Sequence, residues 1–397
     1  MIRPGDSFNA LHRWVARADW ERPLLDAVGN LTMVPRVPSM LDESPAPLSP
    51  ERRALVSVVI PCFNYGRFLP GAVASALDQP GIDVEVVVVD DRSTDDSLAV
   101  ARSLAAVDDR VVVVEQAENL GHVRTFNAGL ARATGDFVVR LDADDLLTPG
   151  SLTRAVALFE RNPGVGLVYG YARHFEEDDV PVPREGSVSW TVWRGHDWIA
   201  RRCARGTNCI TTPEAVVRSS VLRDVGGLNT RLRFAQDMEM WLRVAAVSDV
   251  GRVNDVDQAL HRDHTLSMSV NEGNGVLTDL QERRTVFEEL FSAVGDRIDG
   301  AEGLHARARR ALAREALGHA SYAYDRRRRE PGIEARLVDF ATDTDPAVTS
   351  TLAWRAYAVR ARVGPDLLRR DPLAIVRVAR VRARDELAYL QWTRTGL

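Results

Sequence analysis

Residues 137–149 read FVVRLDADDLLTP. The apolar run from Phe137 to Leu141 predicts a buried strand, and it ends in three carboxylates, Asp142, Asp144 and Asp145. Like charges so close repel unless positive charge sits among them. A hard divalent cation meets that need, and Mn²⁺ or Mg²⁺ prefers carboxylate, water and phosphate oxygens. The stretch therefore predicts a metal site at the carboxyl end of a sheet strand, where open α/β sheets place their ligands. The competing reading is a solvated acidic turn that caps the helix after Pro149.

Working outward, apolar runs alternate with amphipathic stretches from Val56 onward, the pattern of βαβ units around a parallel sheet. Val56–Ile60, Val84–Val89 and Val111–Val114 read as the earlier strands. Their valine-rich runs suit a sheet covered on both faces. Helices are expected over about 68–77, 97–106 and 123–133. The fold class is α/β, a mostly parallel sheet flanked by helices with functional loops at the strand ends. No G-x-G-x-x-G follows the first strand, so a dinucleotide-binding reading lacks its phosphate turn. After the second strand comes DDRSTDD, where Asp90 or Asp91 can accept hydrogen bonds from ribose hydroxyls or a base N–H. Ser93, Thr94, Asp95 and Asp96 read as caps for the following helix. Arg124, one turn into the next helix, can hold a phosphate oxygen if it faces the same crevice as the carboxylates.

At 397 residues the chain exceeds one typical domain. Its 45% hydrophobic and 27% charged content are those of a globular protein, and a net charge of −5 gives no reason to expect nucleic acid. Cys62, Cys203 and Cys209 are too few and too scattered for a disulfide framework or zinc knuckle, which fits a reducing cytoplasm. There is no lysine, so all 51 basic residues are arginine. That excludes a phosphate-loop lysine and a lysine Schiff base. No apolar run reaches the ~20 residues that span a bilayer, so the expected location is cytoplasmic, with peripheral membrane contact left open.

Four ordered stretches carry a resemblance: VSVVIPCFNYGRFL, VEVVVVDDRSTDDS, NLGHVRTFNAGLARATGDFVVRLDADDLLTPGSL and VGGLNTRLRFAQDMEMWLRVA. Over about residues 55–268 the chain resembles family 2 glycosyltransferases of the GT-A fold. The resemblance implies a nucleotide-diphosphate sugar donor, a divalent metal and inversion at the anomeric carbon, with a glycan, lipid-linked, peptide or small-molecule acceptor. Position by position, it implies that Asp90 contacts the base, that Pro61 and Phe63 frame it, and that Arg124 lies near the nucleotide. It implies that Asp144 ligates the metal while Asp142 holds the ribose or a metal-bound water. Asp237 matches the catalytic base, although Gln236 stands where the family typically has Glu. In ALHRDHTLSMS, Arg262 and His264 match, with His264 a candidate for the metal shell or the diphosphate, and His261 replaces the usual Tyr. The rival readings are a nucleotidyltransferase, whose glycine-rich loop and lysine are missing, and a nucleotide-sugar-binding scaffold without catalysis.

Independently of family, AQDMEMWLRVA reads as a helix whose core face includes Met240, Trp241, Val244 and Ala245. Asp237 falls at its N-terminal end, where the dipole favours a carboxylate. Trp190, Trp193 and Trp198 read as core or as sugar platforms, with core favoured. The organisation expected is an arm and linker over 1–53, a GT-A domain over 54–274 and a helical accessory domain over 275–397. Within 350–397 ten Arg face four acids. The basic segment that includes Arg369, Arg370 and Arg377 predicts a solvated helix face or a contact between copies of the chain, and next an anionic membrane contact.

Overall fold

The computed structural model describes residues 53–176, 179–184, 186, 188–263, 275–325 and 332–364, with 383, 387, 390–393, 395 and 396. The N-terminal arm, His264 and most of the basic C-terminal segment lie outside the described residues.

The predicted strands form as β1 (Leu55–Cys62), β2 (Asp83–Asp90), β3 (Val111–Glu115) and β4 (Phe137–Arg140). β1 lies between β2 and β4 and runs parallel to both, and β2 pairs in parallel with β3. Alternate valines enter two different cores. Val56, Val58 and Ile60 pack with Val84, Val86 and Val88 on one face, while Val59, Val87 and Val89 pack on the other. A strand buried on both sides needs such a continuous apolar run. Helices α1 (Leu69–Leu77), α2 (Ser97–Val107) and α3 (His122–Leu130) fill the crossovers. Of the residues read as caps for α2, Asp95 accepts the Ser97 N–H at 2.9 Å, and Asp96, at the N-cap position, makes no side-chain cap hydrogen bond.

Beyond β4, the short β5 (Leu146–Leu147) leads into α4 (Ser151–Arg161), β6 (Val165–Tyr169), β7 (Ala172–Glu176) and β8 (Ser189–Trp193). Then come α5 (Gly195–Arg205), β9 (Val216–Arg218), α6 (Ser219–Val225), α7 (Gln236–Ala245), β10 (Asp249–Asn254) and β11 (Ala259–Asp263). The main sheet has the order β3-β2-β1-β4-β9-β6-β10-β8, and a small second sheet has the order β5-β11-β7. Chain order reverses at β1, with β2 on one side and β4 on the other. That makes the carboxyl ends of β1 and β4 a topological switch point, where such sheets open a crevice.

Trp190, Trp193, Trp198 and Trp241 are all at most 2% exposed and serve as core. Among the described residues through 364, four helices follow: α8 (Val276–Val294), α9 (Ala301–Asp325), α10 (Ile333–Thr344) and α11 (Leu352–Val363). Leu280, Phe287 and Leu290 of α8 and Leu312 and Leu317 of α9 share one buried cluster with Trp198, Trp241 and Leu242. These helices thus extend the core of the sheet domain. Near the C-terminus, Trp392 is buried and donates its indole N–H to the Cys209 carbonyl at 2.8 Å. No described helix is long and apolar enough to cross a membrane.

Candidate active site

A cavity of about 1120 Å³ opens at the switch point. Pro61 and Phe63 from the end of β1, Asp91 after β2, Arg124 of α3, and Asp142 and Asp144 after β4 line it, and so does Asp237 of α7. The two groups of acids, far apart in sequence, therefore share one chamber. Asp279, Arg283 and Glu315 supply part of its wall, so α8 and α9 enclose the site as well as the core.

The three carboxylates after β4 have separate environments. Asp142 accepts from the Arg140 guanidinium, with Nε at 3.1 Å and a terminal nitrogen at 2.9 Å. Burial pushes its carboxyl up, but Arg140 foremost, then His122 and His261, outweighs this and holds it below the ordinary value. Asp144 is half-buried on the cavity wall, and Arg262 Nε donates to its carbonyl oxygen at 3.1 Å. Asp145 is fully buried and turned away: its carboxylate accepts the Arg262 N–H at 2.9 Å and lies 2.9 Å from His261 Nδ1. Burial pushes the Asp145 carboxyl up, and the Asp145 carboxylate foremost, outweighing the burial penalty, pushes the His261 imidazole up. The like-charge conflict read from the sequence is thus partly met by Arg140 and His261, leaving Asp142 and Asp144 as the oxygen donors facing the chamber.

Asp237 is half-buried at the start of α7. One oxygen accepts the Met238 N–H at 2.7 Å, and the other accepts Asn208 Nδ2 at 3.0 Å. The helix N-terminus alone predicts a depressed pKa. Burial instead dominates, outweighing the Met238 N–H and the nearby Arg140, and pushes the carboxyl above its ordinary value.

Several positioning residues were not legible in the sequence. Asn208 also donates to the Ile210 carbonyl at 3.0 Å and accepts the Cys209 N–H at 2.8 Å, so its amide is fixed before it meets Asp237. Glu282 of α8 accepts the backbone N–H groups of Arg233 and Phe234 at 3.1 Å and that of Ala235 at 3.4 Å, tying down the loop that launches α7. Asn127 of α3 bonds both the N–H and the carbonyl of Leu228, each at 2.8 Å. Arg243 donates to the carbonyls of Val225, Gly226 and Gly227 while pairing with Glu239. Glycine suits both positions of this turn: Gly226 has a φ of 85°, and a Cβ on Gly227 would collide with Asn127 Oδ1, whose amide is held by Leu228. Glu282→Ala leaves three loop N–H groups without this acceptor, and should lower stability by about 1–3 kcal/mol, read as a reduced urea midpoint. An unchanged midpoint would mean that water replaces the carboxylate at no cost.

The remaining predicted positions divide. Phe63 is 42% exposed at the cavity mouth, and Arg124 is exposed on its rim. Asp90 is not among the residues that line the chamber: one oxygen accepts the Ser93 N–H at 3.2 Å, and the other is buried with no hydrogen-bond partner among the described residues. Asp91 does line the chamber, but its two oxygens hold the Leu120 and Gly121 N–H groups at 2.7 and 2.9 Å.

Residues 57–226 match the family described as glycosyl transferase family 2. An uncharacterized protein of Mycobacterium tuberculosis is 32% identical over 208 residues, which is 50% of this chain and 64% of that protein. A chondroitin synthase of Escherichia coli is 27% identical over 218 residues, covering 54% of this chain and 30% of the synthase. The chain thus spans less than two thirds of either relative. Among solved structures, S. aureus TarS 1–349 in complex with UDP superposes with a TM-score of 0.53 at 16% identity, covering 79% of this chain and 89% of that one. The same protein in complex with UDP-GlcNAc gives 0.51 at 15% identity, over 74% and 91%. At these identities the likeness is one of fold. Sheet order, strand-end acids and the matched segment agree, and through residues 57–226 the chain is similar to the family 2 glycosyl transferases.

Proposed function

We propose that the protein is an inverting glycosyltransferase that moves a sugar from a nucleotide-diphosphate donor to an acceptor hydroxyl. The observation that carries this reading is the placement of Asp142, Asp144 and Asp237 around one chamber of about 1120 Å³, roomy enough for a donor and part of an acceptor. Phe63 and Pro61 offer an apolar edge for a base, and Asp90, next to the chamber-lining Asp91, keeps one buried oxygen without a hydrogen-bond partner that a base N–H would pair with once uncovered. Arg124 at the rim suits the diphosphate.

The donor set fits a hard divalent cation: with Asp145 turned away onto His261 and Arg262, Asp144 and Asp142 are the strand-end carboxylates that line the chamber and would hold the ion. Bound there, Mn²⁺ or Mg²⁺ would supply Lewis-acid stabilisation of the departing diphosphate. Asp237 accepts the proton of the acceptor hydroxyl, and a single displacement needs no second carboxylate as nucleophile. The upward shift of its pKa makes it a stronger base than an ordinary aspartate while ionised. The acceptor approaches beside the wall built from Asp279, Arg283 and Glu315. Thermal melting against a panel of nucleotide sugars with Mn²⁺ identifies the donor, since a bound ligand raises the melting point by mass action. No shift with any member of the panel would count against a nucleotide-sugar site.

The pH profile gives a second check. Asp237 works ionised, so turnover should fall as pH drops through a pKa above the ordinary carboxylate value of about 3.9. Asn208→Ala removes a donor to the ionised form and should move this acid limb to higher pH. A limb left in place would detach Asn208 from the base.

A further inference from the structure

We propose that His174, His261 and Asp263 form a second metal site, for Zn²⁺ or a similarly borderline first-row divalent ion, whose ligands differ from Asp142 and Asp144 although His261 also lines the donor chamber. The small sheet assembles it. His261 and Asp263 are two residues apart on β11 and share a face, and β7 runs parallel with His174 directly opposite His261. One ligand atom from each of the three lies within 4.8 Å of the others. His174 Nδ1 is 3.0 Å from one oxygen of Asp263, and His261 Nε2 is 4.0 Å from the other. The side chains of His174, Asp263 and His261 are only 5%, 11% and 24% exposed, so the cluster is largely shielded from solvent.

A second observation bears on His261 itself. Asp145 lies 2.9 Å from its Nδ1, which fixes the ring with Nε2 directed towards Asp263. A carboxylate behind an imidazole that presents its other nitrogen to the cluster is the usual outer support of a metal-bound histidine. Two imidazoles and one carboxylate select Zn²⁺ and its neighbours over Mg²⁺, which prefers oxygen donors alone. Tetrahedral ligands about 2.0–2.1 Å from zinc lie roughly 3.3 Å apart, so modest side-chain rotations close the set. The fourth position falls to water. Arg262, between His261 and Asp263 on the opposite face of β11, donates to the Asp144 carbonyl. An ion gripping β7 and β11 would therefore brace the strand against which the Asp144 loop rests.

The test is zinc retention by the full chain after dialysis, measured by elemental analysis, with melting curves to confirm folding. Wild type and Asp144→Ala are expected to keep about one zinc per chain, and His174→Gln and Asp263→Asn to fall at least about tenfold, the low end for disturbing a metal shell. Wild-type protein with no zinc, or loss in Asp144→Ala alone, would overturn the proposal, the latter by assigning the ion to the donor acids. Should the substituted chains fail to fold, titrating wild type with Co²⁺ still decides. Intense visible bands of four-coordinate nitrogen and oxygen ligation support the site, and only the weak spectrum of the hydrated ion refutes it. Donor binding and transfer play no part in either readout.

Discussion

Asp237→Asn should bind nucleoside diphosphate as the wild type does and turn over at least about 100-fold more slowly, the low end of what a positioned general base contributes. The substitution is nearly isosteric. Its single amide oxygen can still accept the Met238 N–H, which holds the start of α7, whereas its NH2 then faces the Asn208 NH2 and that one contact is lost. What disappears is the capacity to take a proton. Steady-state kinetics alongside a nucleotide titration separates the effects: a fall in kcat with unchanged affinity is expected, whereas near wild-type kcat would remove Asp237 from the chemistry. Because burial already raises this carboxyl, the wild-type rate should also be more acid-sensitive than an exposed aspartate would make it. In the Asn variant that acid limb should vanish along with the rate.

Asp144→Ala should act on the donor instead. Removing the carboxylate that faces the chamber takes away an oxygen ligand, and metal-dependent affinity for a nucleoside diphosphate should drop by more than about 100-fold, given that even outer-shell changes cost 10–100-fold. Titrations with and without Mn²⁺ should differ for wild type and coincide for the variant. The fold should survive, since Asp144 bonds Arg262 through its backbone carbonyl, which alanine retains. A variant whose nucleotide affinity still responds to Mn²⁺ would take Asp144 out of the metal shell. Asp145→Ala offers the contrast. That carboxylate clamps His261 and the Arg262 N–H, so its loss should show first as lower stability.

The sheet was legible because its physics is local. A strand buried on both faces must be an unbroken apolar run, and the runs at Val56, Val84, Val111 and Phe137 have no other comfortable structure. The acids at the ends of β2 and β4 were legible because charge following such a run marks where the strand leaves the core. Asp145 was harder to separate from its two neighbours, for its burial depends on β11, over a hundred residues later. Asn208 and Glu282 gave no signal at all. Each is an ordinary polar residue whose role arises from tertiary placement, one beneath Asp237 and the other beneath the loop before α7. The sequence also divides the chain at 274/275, where strands give way to helices, yet α8 and α9 bury their apolar faces in the same cluster as Trp198 and Trp241. Composition marks that change of pattern, whereas shared packing is a property of the assembled core. The predicted helix to Ala133 ends at Leu130, a difference of the size helix termini commonly show.

The most direct measurement is a crystal structure of Asp237→Asn, slowed enough to hold its donor, with an intact nucleotide sugar and Mn²⁺. The account predicts the diphosphate beside Asp144 and the anomeric carbon turned towards residue 237, with room between them for one acceptor hydroxyl. A nucleotide seated outside this chamber, or a sugar whose anomeric carbon faces away from residue 237, would contradict it.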